Sequence, residues 1–257
     1  MTVLDQTSDT ARIVFLHIPK TAGQSVHSEL TRLLPDDCLS PVRVHTQAKA
    51  DEAQMPEGYR LYSGHLDWDE LDTVPSPRFA FTVLRDPLER IASFYFYLRA
   101  QAETLSPEEL ALPQRTGMRL ISTQTAEEYF FGGNKSWQVF IRDHYDNVQT
   151  TYLATRRIRG WGQVKNLSPD ELLEKALKNA KNIDRIYTTT TLKELETDLE
   201  NLLGTRPNIV KTRVNAGPQT SGKRWPELAK LLGPSASERL AAYGETDRRL
   251  LQKLGQG

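Results

Sequence analysis

Ile13-Val14-Phe15-Leu16-His17-Ile18-Pro19-Lys20-Thr21-Ala22-Gly23-Gln24-Ser25 is the passage on which the fold turns. Its first five residues form an apolar run of β-formers, which reads as a strand buried on both faces. Pro19 stops that strand, and a turn-like stretch follows to Gly23. Val26, Leu30, Leu33 and Leu34 then recur at helical spacing until Pro35. Strand, loop and helix in this order open an α/β fold. The loop also has the chemistry of an anion cradle, because successive backbone N–H groups and the positive end of the helix dipole face a common point there. Gly23 lets the backbone approach, Lys20 supplies a charge, and Thr21 and Ser25 supply hydroxyl donors. The competing reading is an ordinary strand-to-helix connection with an exposed lysine. The pattern G-x-x-x-x-G-K-[ST] is absent, since Lys20 precedes the glycine, which disfavours a nucleoside triphosphatase.

Outward from this passage the alternation continues. Tyr59 to Ser63 reads as a short strand, and Phe79 to Leu84 as the strongest strand in the chain. Arg85 closes it, and Asp86-Pro87-Leu88-Glu89 starts a helix with Asp as N-cap, Pro at N1 and Glu at N3. Ile91, Phe94, Tyr95 and Leu98 line the apolar side of that helix. The same start signal recurs at Ser106-Pro107-Glu108-Glu109 and Ser168-Pro169-Asp170-Glu171, and without proline from Thr125 to Glu128. Ile183 to Thr188 reads as a fourth strand, followed by a helix from about Leu192 to Leu203. A last helix is predicted from about Ser237 to Leu254. Between Gln101 and Gly162 the chain is mostly helical or irregular. The expected architecture is an α/β fold: a P-loop-like parallel sheet flanked by helices, with a helical insertion between the third and fourth strands. One domain over residues 1–257 is expected, with a polar tail at about 1–10.

Composition narrows the function classes. Lys+Arg and Asp+Glu both total 33, a net charge of zero that argues against a nucleic-acid partner while leaving room for a local basic pocket. Cys38 is the only cysteine, so an intrachain disulfide and a cysteine-held structural zinc are both excluded. No apolar run approaches the ~18 residues that cross a bilayer. Met1 to Thr10 is polar and unlike a secretory signal, so a soluble cytoplasmic protein without a transmembrane segment is expected.

His17 to Ser25 resembles the 5′-phosphosulfate loop of carbohydrate sulfotransferases, whose signature is H-I-P-K-T-[AG]-G-[TS]-[ST]; Gln24 departs from it. The stretch Thr82-Val83-Leu84-Arg85-Asp86-Pro87-Leu88-Glu89-Arg90-Ile91-Ala92-Ser93-Phe94-Tyr95 is similar to the family's second motif. The resemblance implies a donor, 3′-phosphoadenosine 5′-phosphosulfate (PAPS), held by Pro19, Lys20, Thr21, Ala22, Gly23, Gln24 and Ser25 at its 5′ end. It implies Arg85 and Ser93 at the 3′-phosphate, where a planar guanidinium fork suits phosphate oxygens. Lys211-Thr212-Arg213-Val214-Asn215-Ala216-Gly217 resembles the loop that covers the same end, which would add Arg213. Arg90 is read as covering a helix face.

Sulfuryl transfer requires an aligned attacking oxygen, a neutralised leaving group and the removal of one proton. Lys20 suits the second task. No metal is expected, because the transferred group carries less charge than a phosphoryl group. A base near neutral pKa is most simply a histidine. Of the five, His65 ends a strand, where ligands sit in open α/β sheets. It also matches the Gly-His of uronosyl 2-O-sulfotransferases, which the resemblance makes the base. Asp67, Glu29 and Glu70 are the carboxylates in reserve.

Asp146 to Leu153 resembles a family segment near the acceptor cleft, with Thr151 in place of the usual arginine. Arg156, Arg157 and Arg159 form a basic run that reads either as a solvated face or as an anionic-acceptor contact. Trp137 and Trp161 read either as core or as sugar-stacking platforms. The expected partner is a small-molecule or saccharide hydroxyl. Two rivals stand beside this reading: a phosphotransferase using the same loop, and a non-catalytic module that binds anionic ligands.

Overall fold

The apolar run at the start of the chain becomes the middle of a parallel sheet. Strand β1, Arg12–Leu16, is flanked by β2, Leu61–Gly64, and β3, Arg78–Leu84; β4, Arg185–Thr188, adds to β3. The order is β2-β1-β3-β4 with every pair parallel. The computed structural model describes residues 11–49, 52–212 and 223–255. The tail at 1–10 and Arg213 to Gly217 lie outside the described residues.

Period-2 alternation sends the two sets of strand side chains to opposite faces. Ile13, Phe15, Phe79, Phe81 and Val83 pack with Val26 and Leu30 of helix α1, Gly23–Leu33. Val14, Leu16, Ala80 and Leu84 join a second core on the other face. Parallel strands covered on both faces cannot alternate apolar with polar, which is why these stretches are almost wholly hydrophobic.

Between β3 and β4 runs the helical insertion: α2, Pro87–Ala102; α3, Pro107–Ala111; α4, Thr116–Thr123; α5, Ala126–Phe131; α6, Lys135–Tyr145; α7, Val148–Thr155; α8, Trp161–Val164; and α9, Pro169–Ala180. Part of it builds its own core, in which Tyr95, Tyr129, Phe130 and Tyr145 pack edge-to-face or stacked, with ring centroids 4.9–6.1 Å apart. Trp137 belongs to this core and donates its indole N–H to the Tyr129 carbonyl, so it is packing rather than a sugar platform. Helix α7 returns to the sheet, where Tyr152 and Leu153 enter the core beneath β1. Helix α10, Leu192–Leu203, covers the α1 face. No described helix is long and apolar enough to cross a membrane.

The single terminal helix predicted from Ser237 does not form. Pro234–Ala241 (α12, after α11, Arg224–Leu232) is followed by a 3-10 turn, Ala242–Gly244, and then by α13, Glu245–Lys253. Asn147 causes the break. Its Oδ1 accepts the N–H groups of Thr246 and Asp247 at 2.7 and 3.0 Å, and its own N–H donates to the Tyr243 carbonyl at 2.6 Å. In a continuous helix those two donors would bond the carbonyls of Ala242 and Tyr243. Periodicity cannot see a cap delivered from another helix. The fourth strand also starts at Arg185 rather than Ile183, because the Ile183 N–H closes a turn onto Ala180. Asn147→Ala removes this cap at a residue with φ 45°, and the expected loss is about 1–2 kcal/mol in thermal or denaturant unfolding.

Candidate active site

The loop after β1 is held in a conformation that turns backbone donors outward. Lys20 and Ala22 have φ of 73° and 69°, a left-handed geometry that costs a non-glycine residue about 1–2 kcal/mol. Ala22 stands at the N-cap of α1, where Ser or Asp would normally accept a helix N–H, and has no side chain to do so. The N–H groups of Gly23, Gln24 and Ser25 therefore have no acceptor among the described residues. Such a helix start suits an anion. Thr21 is the exception among the expected loop donors. It is fully buried and its hydroxyl donates to the Ile18 carbonyl at 2.9 Å, so it shapes the loop instead of offering a donor.

Gly23 is required by its neighbour. A Cβ there would stand 1.7 Å from Nε2 of His17, so helix start and imidazole pack face to face. The His17 ring lies between those of Phe15 and His65, at 5.2 and 4.1 Å. Burial, with help from the charges of His65 and Arg43, drives its pKa well down and keeps it neutral.

Loop, strand ends and the 209–212 segment enclose a cavity of about 700 Å³. Pro19, Lys20, Ala22, Gly23, Gln24 and Ser25 line it from the loop side. His65, Arg85 and Ser93 reach it from β2, from the end of β3 and from α2. Lys193 and Arg224 line it too, and no Asp or Glu among the described residues does so. A chain of zero net charge thus gathers four cations into one cavity.

His65, Lys20, Arg85 and Ser93 each have a neighbour that fixes them. His65 donates from Nδ1 to the His17 carbonyl at 2.8 Å, which fixes the tautomer and leaves Nε2 as the basic nitrogen. Its pKa is lowered by burial, with the bond to His17 opposing, which favours the neutral ring. Lys20 is brought down to about 8, by burial first and then by Arg224, Arg85 and Arg90; its Nζ lies 3.9 Å from the centre of the Tyr97 ring. Arg85 donates from Nη1 to the Lys20 carbonyl at 3.2 Å and pairs with Glu89 at 3.7 Å. Ser93 accepts from Nη1 of Arg224 at 2.9 Å.

Two arginines take places that the local sequence does not mark. Arg90 does not cover a helix face. It is 1 % exposed, and its guanidinium donates to the Pro19 carbonyl at 3.4 Å and to that of His144, tying loop to insertion. Arg224 reaches the cavity because Glu89 anchors the start of α11, accepting the N–H groups of Arg224 and Trp225 at 2.9 and 3.1 Å. The start signal at Glu109, Glu128 and Glu171 closes on its own cap residue, as predicted. At Asp86 only half of it does: Asp86 accepts the Glu89 N–H, while the Glu89 carboxylate turns away to α11. Nothing in the local sequence separates Glu89 from the glutamates that close their own caps, since its partner lies on α11.

The reserve carboxylates are occupied elsewhere. Glu29 holds Arg32, the Asn208 N–H and the Thr212 hydroxyl, and those partners pull its pKa to about 2. Asp67 accepts from Ile158 and Gln54, and Glu70 from Gln54. Asp67-Trp68-Asp69 has a D-x-D spacing, but Asp67 holds the Ile158 N–H and Asp69 pairs with Arg157 at 2.7 Å. Arg156 stacks on Trp68. No group of three or more His, Cys, Asp or Glu side chains among the described residues is arranged to hold a metal ion.

A parallel sheet whose first strand feeds an uncapped helix start, with cations gathered at the strand ends, defines a protein that handles anionic groups. The chain belongs to the sulfotransferase family, whose pattern it matches over residues 6–224. No curated protein matches the chain. Transfer of a sulfuryl group is the chemistry of that family.

Proposed function

We propose that this chain transfers the sulfuryl group of PAPS to an acceptor hydroxyl, on a carbohydrate or a glycosylated small molecule, with His65 as general base. The observation that carries this reading is the cavity with Lys20, Arg85, Lys193 and Arg224 in its wall and no carboxylate among the described residues that line it. Bound there, PAPS supplies an activated sulfur whose bond to the 5′-phosphate oxygen breaks with its electron pair left on that oxygen.

The chain's residues divide the work. The N–H groups of Gly23 to Ser25 and the Lys20 ammonium hold the 5′ end and stabilise charge on the leaving oxygen. Arg85, Ser93 and Arg224 form a second anion contact for the 3′-phosphate, which separates this donor from other adenine nucleotides. Nε2 of His65 takes the acceptor proton as the oxygen attacks sulfur, and the His17 carbonyl stabilises the resulting imidazolium through Nδ1–H. A phosphotransferase would instead need carboxylates in the cavity wall to hold magnesium against its nucleotide. A merely binding module would have no use for a histidine presenting a free basic nitrogen.

Calorimetric titration with the product nucleotide 3′-phosphoadenosine 5′-phosphate (PAP), ADP and ATP with magnesium tests the reading. PAP is expected to bind much more tightly than ADP, and preference for magnesium ATP would transfer the assignment to the phosphotransferase. His65→Ala should keep PAP affinity and lose at least ~100-fold in turnover of PAPS; near-normal turnover removes His65 from the mechanism. The pH dependence follows from Lys20. Its protonated form binds the anion, so a site with a free pKa of about 8 loses affinity as pH rises through that value. PAP affinity should fall by up to about tenfold per pH unit above that point, and a flat profile from pH 7 to 10 would exclude Lys20 from the contact.

A further inference from the structure

Helix α13 lies beyond the stretch that matches the sulfotransferase family, yet it reaches the cavity through buried polar groups. Asp247 is 2 % exposed, and Gln149 and Thr150 are fully buried. Asp247 Oδ1 accepts the Thr150 N–H and hydroxyl, both at 2.7 Å. Its Oδ2 accepts the Gln149 N–H and side-chain Nε2, both at 3.3 Å. The same Gln149 amide bonds the backbone of Arg85 in both directions. Oε1 accepts the Arg85 N–H at 2.7 Å, and Nε2 donates to the Arg85 carbonyl at 2.9 Å.

A carboxylate only accepts, so Asp247 admits one orientation of that amide, with Nε2 turned toward it. That orientation is also the one that fits the end of β3, where Arg85 leaves the sheet. Arg90 is buried nearby and feels the charge of Asp247, while it holds the Pro19 carbonyl of the loop. Burial pushes the Asp247 pKa up, and its hydrogen bonds to Thr150 and Gln149 and the Arg90 charge oppose that rise.

We propose that Asp247 is a positioning residue: through Gln149 it sets the Arg85 guanidinium against the 3′-phosphate of the donor. This rests on the role given to Arg85 under the proposed function. Neither Asp247 nor Gln149 lines the cavity, so their effect on the ligand passes through Arg85.

Asp247→Asn keeps the size of the side chain. With its Oδ1 on Thr150, however, its NH2 meets the two N–H donors of Gln149. The expected result is a PAP Kd raised about tenfold, with the ADP Kd changed less than about twofold, because ADP has no 3′-phosphate. In an Arg85→Ala background the same substitution should leave the PAP/ADP ratio unmoved. Gln149→Met, of similar size and unable to bond the Arg85 backbone in either direction, should reproduce the loss of selectivity and carries the test should Asp247→Asn fail to fold. A lower Tm with PAP and ADP weakened alike would show a structural role and overturn the inference. Wild-type protein without preference for PAP over ADP would instead remove the donor assignment itself. Wild-type preference retained in both variants would leave that assignment standing and end this inference alone.

Discussion

Cations gathered in a partly buried cavity lose hydration and repel one another, and burial first, then Arg224, Arg85 and Arg90, bring the Lys20 pKa down. Much of the surrounding structure answers that constraint. The carboxylates that balance the charge stand behind the cavity wall rather than in it. Glu89 pairs with Arg85 and fixes Arg224 through the backbone of α11. Asp247 sits behind Arg85 and Arg90, and Glu29 holds the 208–212 segment that forms the far wall. A carboxylate inside the cavity would quench the field an anionic ligand has to find; one behind it steadies the cation and leaves its front free. Zero net charge and a strongly cationic site are therefore compatible.

The loop shows the same division between holding and presenting. Its left-handed residues are strained, and strain persists only where neighbours over-determine it. Arg85 on the Lys20 carbonyl, Arg90 on that of Pro19, Thr21 on that of Ile18 and the His17 ring against Gly23 supply that restraint. The carbonyls are held from inside the protein, and the N–H groups at the start of α1 are left for a ligand. His65 repeats the pattern, with one nitrogen given to the His17 backbone and the other kept basic.

What the sequence by itself determined was everything written in local order. The both-faces-buried runs from Ile13 and from Phe79 dictated a parallel sheet, because no amphipathic alternation was left in them. The stop at Pro19 and the helical spacing after Gly23 dictated a strand, loop and helix in that order, while Arg85 and Ser93 stood out by family resemblance and His65 also by its place at a strand end. Tertiary structure alone decided how these parts are held. Arg90 reads like any helix-face arginine until the insertion folds over it. Arg224 joins the cavity only because Glu89 leaves its own cap for α11. Asn147 breaks a helix about 100 residues further along the chain by taking two of its N–H groups. Each of these contacts spans residues far apart in sequence, and a hydrogen bond or a compensated charge depends on where its partner lies in space, which no local period records.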